Sequence, residues 1–308
     1  VGKEIDEFDN IIATGYHHKY GENHAERDAL IKINNGDGET LYVNLEPCSH
    51  YGKTPPCTDL IIEKGIKHVV IGSLDPNPKV NGIEMLKNAG IKVTTGVLEN
   101  ECQKLNEIFF KNIKERKTFV AIKTATTLDG KIATSTGSSK WITSEDAREE
   151  VKNIRNKYDA IMTSSSTVIA DNPTMEHRKK IVLDRELKTD LKSKIYEQGE
   201  IYIFNEFKEE NNDNIHFIKT PVIDNKIRLD FVFDKLFELE IMSVLIEAGG
   251  KLNGRALKYA DKIYHFIAPK ITGDNKAKSC YDYREITEIS ETVNFHIDEI
   301  KQCKSDIL

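Results

Sequence analysis

Three residues far apart in the chain, His24, Cys48 and Cys57, restrict its fold more than any other feature, because only a close meeting of the three explains their pattern. His24-Ala25-Glu26 stands at the opening of a helix, Pro47-Cys48 follows a strand, and Cys57 lies just before a second helix. One imidazole and two thiolates make three protein ligands for zinc and leave the fourth tetrahedral position open to water. That is the arrangement of a catalytic site; a structural site is closed. Glu26, two residues past the histidine, stands where it could face that water as a proton shuttle. Zinc brings the pKa of such a water toward ~7, so a nucleophile is available at neutral pH.

His-x-Glu followed by Pro-Cys and a second Cys is the pattern of zinc nucleobase deaminases, in which water attacks an amino-bearing ring carbon and the glutamate carries a proton to the departing ammonia. In most of them two residues separate the cysteines, whereas eight separate Cys48 from Cys57. The bland alternative, a histidine and two cysteines buried separately, does not explain their order or the glutamate. His17, His18 and His50, each taken alone, read as surface residues or supports and not as ligands.

The 308 residues exceed one typical domain of ~150. Hydrophobic residues at 39% and charged residues at 31% fit a globular chain. A cut at Lys117 leaves 15 basic and 18 acidic residues before it and 29 and 32 after it. Neither part is basic, which argues against a nucleic-acid partner. No apolar run approaches the ~20 residues of a membrane helix, and Val1-Gly2-Lys3-Glu4 does not read as a signal peptide. The five cysteines are odd in number, and Cys102, Cys280 and Cys303 are scattered. A reducing cytoplasm fits them better than a disulfide scaffold.

Short apolar strands alternate with glycine-closed helices over the first 117 residues: strands at 10–14, 40–45, 68–71 and 91–95, helices at 25–33, 58–64 and 83–88. The polar segment 112–117 reads as a boundary, which predicts domains at 1–117 and 118–308. The second part repeats the alternation, with helices at 145–156, 232–239 and 252–259. Its strands are expected at 119–123, 159–163, 180–183, 200–204, 243–246 and 262–267. Both parts are therefore α/β, and the first is expected to have a mostly parallel sheet covered on both faces.

The stretch from Cys48 to Cys57 closely resembles the deaminase domain of the bifunctional riboflavin-biosynthesis deaminase–reductases, the RibD/RibG family. The resemblance extends to Gly15-Tyr16-His17 and Asp75-Pro76-Asn77-Pro78. It continues through Leu128-Asp129-Gly130-Lys131, Trp141-Ile142-Thr143, Ala170-Asp171-Asn172-Pro173 and Glu247-Ala248-Gly249-Gly250, in the family's order over nearly the whole chain. It implies a cytidine-deaminase-like zinc domain followed by a dihydrofolate-reductase-like domain that binds NADPH. In the deaminase part it implies substrate contacts from His17, Lys53, Thr54, Asp75 and Asn77. A phosphorylated pyrimidine needs a cation such as Lys53, and its ring edges need donors and acceptors such as Asp75 and Asn77. The family's opening helix and Asn-Pro-x-Val-Gly segment have no recognisable counterpart, and the loop Val80-Asn81-Gly82-Ile83 is shorter than usual.

The second part has no Gly-x-Gly-x-x-Gly. It has Gly249-Gly250-Lys251-Leu252-Asn253-Gly254-Arg255 between a strand and a helix, where backbone amides can meet a pyrophosphate. By resemblance, Ala125, Trp141, Thr167, Asp171 and residues Gly249 to Arg255 hold the cofactor. Lys131, Ser139, Arg155, Arg178 and Glu247 hold the ribose phosphate substrate. Trp141, the single tryptophan, reads equally as a core anchor. Asp184-Arg185 replaces the family's frequent aspartate–serine, and no role is assigned to Arg185. Glu247 is expected to accept hydrogen bonds from ribose hydroxyls, and Gly250→Val to obstruct the cofactor's diphosphate.

The main reading is thus a two-step enzyme acting on a phosphorylated pyrimidine, expected as a cytoplasmic homo-oligomer, a dimer or tetramer, with no membrane or nucleic-acid partner. The first part would remove an amino group as ammonia, and the second would reduce the ribosyl chain to ribityl with NADPH. Two alternatives are a zinc deaminase of nucleosides or tRNA with a purely structural second domain, and a zinc-stabilised binding module. The acidic balance and the cysteine spacing count against the tRNA version, and Glu26 counts against the module.

Overall fold

Strand–helix alternation in the first unit, Val1–Arg116, comes from short apolar runs that must be covered on both faces. Val69, Val70 and Ile71 are all buried, which no one-sided sheet would require. The computed structural model describes residues 2–5, 10–18, 21–282, 297 and 299–300, and Cys303 lies outside them. The unit runs β1 (Gly2–Ile5), β2 (Ile11–Gly15), α1 (Ala25–Leu30), β3 (Thr40–Leu45), α2 (Cys57–Glu63), β4 (His68–Ser73), α3 (Gly82–Asn88), β5 (Lys92–Thr95), α4 (Glu99–Leu105) and α5 (Glu107–Glu115). The sheet order is β2-β1-β3-β4-β5. β3, β4 and β5 are parallel, while β1 is antiparallel to both its neighbours. Leu30, Leu41, Ile61, Ile71 and Leu86, none exposed, pack the helices onto the sheet. Each such side chain contributes roughly 1.5–3 kcal/mol of burial.

The second unit, Lys117–Leu308, begins with β6 (Phe119–Thr127), β7 (Lys131–Ala133), α6 (Glu145–Arg155), β8 (Ala160–Ser164), α7 (Ser165–Asp171), β9 (Lys179–Leu183) and β10 (Glu200–Asn205). It continues with β11 (Glu210–Asn212), β12 (Ile215–Lys219), the small hairpin β13 (Val222–Ile223) and β14 (Lys226–Ile227), α8 (Leu229–Glu238), β15 (Ser243–Ile246), α9 (Gly250–Ala256), β16 (Lys262–Ala268) and β17 (Lys278–Ser279). Eight strands form one sheet in the order β11-β12-β10-β9-β8-β15-β6-β16, parallel except at β11. The central strands β8 and β15 are buried almost throughout.

Three departures from the expected elements stand out. β1 is a strand in a charged stretch that shows no apolar run. The segment 99–115, for which no element was expected and of which only the end falls in the boundary read at 112–117, forms α4 and α5, neither of which has a fully buried residue. The first sheet is mixed where a mostly parallel one was expected.

Candidate active sites

His24 is the residue before α1, in extended backbone (ψ 162°), so its ring leaves the helix end instead of lying along it. Cys57 opens α2, and Cys48 sits in the loop that leaves β3. The Cys57 backbone N–H donates to Cys48 Sγ at 3.3 Å, and the Thr58 hydroxyl and N–H both donate to Cys48 O. Cys48 is thereby tied to the start of α2. His24 Nδ1 lies 3.4 Å from Cys48 Sγ and 3.6 Å from Cys57 Sγ, and the three ligand atoms lie within 4.8 Å of one another. With Zn–N of 2.0–2.1 Å and Zn–S of 2.3 Å, a tetrahedral site has N–S edges of about 3.6 Å. The spacing fits zinc.

A hydrogen bond from Cys57, aided by His24, brings the pKa of Cys48 down to about 4, and the bond to Cys48 together with burial drives that of Cys57 up. Glu26, 9% exposed, is the second residue of α1, two past His24, and burial raises its proton affinity. A carboxyl that holds its proton more tightly than usual beside a three-ligand set is suited to carrying protons.

His17 turns edge-on to His24, with ring centres 5.6 Å apart, and its Nδ1 is 3.0 Å from Asn23 O. Lys53 is exposed and lies against Gly21, while half-buried Thr54 turns its carbonyl to the Gly52 N–H. Asp75 is half-buried and its Oδ1 accepts from the Asn77 N–H at 2.7 Å, which makes the proline-rich loop a tight turn. A residue the sequence reading missed is Glu46, whose buried carboxylate accepts from both ends of that loop. A lone acid beside a proline reads as a solvated loop residue, so nothing local marks it.

Cys102 and Cys280 belong to no metal-binding group among the described residues. Cys48→Ser and Cys57→Ser are therefore expected to weaken zinc binding by more than the ~10–100-fold that even outer-shell changes cost. Cys102→Ser and Cys280→Ser should leave zinc content unchanged by elemental analysis, and the same is expected of Cys303→Ser. Equal loss across all five would refute the ligand set.

In the second unit a cavity of ≈ 1620 Å³ opens at the strand ends. Ala125, Ser139, Trp141, Arg155, Thr167, Asp171, Glu247 and Gly249 to Leu252 line it, with Arg255. Asn253 and Gly254 are buried behind that wall. Lys131 lines a smaller adjoining hollow of ≈ 260 Å³ that also contains Ser139 and Trp141. Arg178 lines neither. It is exposed at the start of β9, with its carbonyl accepting from Glu200 N, because the short loop after Pro173 runs straight into the strand. Trp141 is 64% exposed with Arg148 over its ring at 4.4 Å, so it is no core anchor.

Glu247 is held at the end of β15, its N–H donating to Met162 O and its carbonyl accepting from Thr163 Oγ1. Both its carboxylate oxygens are engaged: Arg155 Nε donates to Oε1 at 2.6 Å and Nη2 to Oε2 at 3.0 Å, and Lys123 Nζ stands 3.6 Å from Oε2. Burial alone would raise the pKa of Glu247, but these two cations hold it below the usual range. The expectation of a carboxylate free for ribose hydroxyls is thereby narrowed, since the acid is already bound by Arg155. Lys123, in the middle of β6, was not foreseen; it lines the cavity, and burial lowers its pKa. Arg185 lines it as well and is paired with Glu186 and Glu206.

The two glycines differ. A β-carbon on Gly249 would meet nothing within 4 Å, whereas one on Gly250 would stand 2.2 Å from Ser279 O. Gly250 serves close packing of β17, which corrects the expectation that its substitution would act on the cofactor alone.

The family model for the RibD C-terminal domain matches residues 118–308, and that for the cytidine and deoxycytidylate deaminase zinc-binding region matches residues 4–73. A riboflavin biosynthesis protein RibD from Actinobacillus pleuropneumoniae is 38% identical over 100% of this chain and 88% of its own length. The Aquifex aeolicus protein of that name is 40% identical over 94% of this chain and 85% of its own length. The crystal structure of a diaminohydroxyphosphoribosylaminopyrimidine deaminase / 5-amino-6-(5-phosphoribosylamino)uracil reductase from Thermotoga maritima superposes with a TM-score of 0.87. It is 37% identical, over 98% of this chain and 88% of that one.

Proposed function

The chain belongs to the RibD family of bifunctional riboflavin-biosynthesis deaminase–reductases, and from that premise we propose which of its residues carry each half of the chemistry. The enzyme uses zinc in its cytidine-deaminase-like part and NADPH in its reductase part. Its substrates are read as those named for the Thermotoga relative, a diamino-hydroxy-phosphoribosylamino-pyrimidine and then the phosphoribosylamino-uracil. The observation that carries the deaminase half is the fit of His24, Cys48 and Cys57 to one zinc ion with buried Glu26 beside them.

Zinc bound there supplies the Lewis acidity that makes water nucleophilic at neutral pH. Glu26 takes a proton on its carboxylate and delivers it to the amino group that leaves as ammonia. Asp75 and Asn77 read the ring edges, His17 borders the ligand set, and Lys53 with Thr54 meets the phosphate. In the second domain, residues 118–308, NADPH supplies hydride. Ala125, Trp141, Thr167, Asp171 and the turn from Gly249 hold the cofactor. Glu247 aligns Arg155 beside the substrate, where its remaining N–H groups serve a phosphate, and Ser139 and Lys131 complete that side. Arg178, outside the cavity wall, is dropped from this set.

Gly249→Val is expected to weaken NADPH binding by about tenfold or more, because its side chain would enter the cavity where backbone must approach the cofactor. Gly250→Val should instead cost roughly 1–3 kcal/mol of stability by overpacking against β17. NADPH fluorescence titration and thermal melts of both variants check this. Equal NADPH affinity in Gly249→Val and the parent protein would move the cofactor elsewhere.

A homo-oligomer, dimer or tetramer, is supported by Leu128, Ile267 and Ile271, each more than half exposed near the edge strand β16; sedimentation at micromolar concentration tests it. The scattered sequence positions of Cys102, Cys280 and Cys303, unlike a disulfide framework, support a reducing compartment, the cytoplasm. No helix among the described residues is long and apolar enough to cross a membrane. The whole reading is tested by following ammonia release and NADPH oxidation separately on one preparation. Ammonia without NADPH turnover on deaminated substrate would restore the reading of a structural second domain.

A further inference from the structure

Glu46, 9% exposed, immediately precedes Pro47-Cys48. Its own N–H donates to Ser73 O at 2.9 Å, which ties it to the end of β4. Its two carboxylate oxygens part ways: Oε2 accepts from Asp75 N at 3.4 Å, and Oε1 accepts from Ile83 N at 3.1 Å. Those two amides bracket the loop that contains Asp75 and Asn77. Ser49 Oγ adds a third tether by accepting from Asn81 N at 2.7 Å. At the loop's far end a β-carbon on Gly82 would lie 2.1 Å from Pro47 O, so the chain there is pressed onto the Glu46-Pro47 backbone.

The bonds inside the loop, Asn77 N to Asp75 Oδ1, Lys79 N to Asn77 Oδ1 and Val80 N to Asn77 O, give it a shape but do not place it against the zinc ligands. The tethers from Glu46 and Ser49, residues flanking Pro47-Cys48, do that. A carboxylate is needed for the pair of bonds, because it accepts with both oxygens, whereas an amide would turn a donor toward one of the two N–H groups. Asn81, the residue before α3, makes no side-chain cap of its own, and Glu46 supplies an acceptor to a first-turn N–H of that helix, that of Ile83.

We propose that Glu46 is a positioning residue of the deaminase: it holds the Asp75–Asn77 loop in register with His24, Cys48 and Cys57, so that the pyrimidine is read at a set distance from the metal. This rests on the reading that Asp75 and Asn77 contact the pyrimidine, and the test separates the two. In the full-length zinc-loaded enzyme, Glu46→Gln is expected to raise the KM for deamination about tenfold, as loss of a hydrogen bond to a charged group does. Zinc content should stay full and kcat within about twofold. Amide hydrogen exchange should quicken over residues 73–86 and stay unchanged over 57–63.

Parent-like KM in Glu46→Gln, while Asp75→Asn raises it, overturns the positioning role, as does loss of zinc or a fall in kcat at constant KM. If neither variant moves KM, the substrate-contact reading of the loop fails. Should Glu46→Gln not fold, Ser49→Ala carries the test by removing the third tether. A KM rise of about threefold is then expected, and an unchanged KM overturns the proposal.

Discussion

Glu26→Gln should keep its zinc and lose deamination by ~10²–10⁴-fold, the range general acid–base catalysis supplies. The change is nearly isosteric, and Glu26 is not among the grouped ligands, so the metal set has no reason to fall apart. What disappears is a buried carboxyl beside it that can take a proton and give it back. An amide at that point neither accepts the proton from water nor donates one to the leaving amine. NADPH oxidation on already deaminated substrate, which depends on the second unit, should continue at the parent rate. Ammonia release within about tenfold of the parent would assign the proton to another group.

Arg155→Met should destabilise the second unit by ~3–5 kcal/mol, because it strips a buried carboxylate of its bidentate partner. Glu247 exposes only 9% of its side chain, and Lys123 at 3.6 Å is the remaining cation beside it. At roughly 2–4 °C per kcal/mol for a unit of this size, the melting temperature should fall by about 6–20 °C. Removing the charge as well, in Arg155→Met with Glu247→Gln, should recover much of that loss, the sign of a coupled pair. Both variants should be poor reductases. A single variant that melts with the parent protein would mean that the ion pair contributes nothing to stability.

The zinc set could be read from sequence because its chemistry tolerates few residue types: only soft ligands in that order, with an acid two places on, make a catalytic site. Ser243–Ile246 was equally plain, since a buried parallel strand is a short, nearly continuous apolar run, and Thr40–Leu45 showed itself by alternation, with Leu41 and Val43 buried and Tyr42 between them exposed. β1 was hidden because Lys3 and Glu4 break any apolar run and its pairing with β2 and β3 supplies the order that composition does not. α4 and α5 were hidden because neither fully buries a side chain. Lys123, Glu46 and the packing role of Gly250 depend on partners distant in sequence, so no local pattern could announce them. Trp141 was undecided for the same reason, its exposure being fixed by what does not pack on it.

The strand order of the second unit carries a consequence for how the chain is made. β6 lies between β15 and β16, and Thr118, just before it, donates to the carbonyl of Ile241, 123 positions later. A ribosome releasing this polypeptide would therefore expose β6 long before either neighbour exists, whereas residues 2–115 can close their own sheet at once. Contacts of such separation are slow to form, and an unpaired apolar strand waiting for its neighbours invites association with other nascent chains. Truncations ending before residue 243 should accordingly yield a folded zinc domain with an aggregating tail, and recovery of soluble product should begin only once β15 and β16 are included.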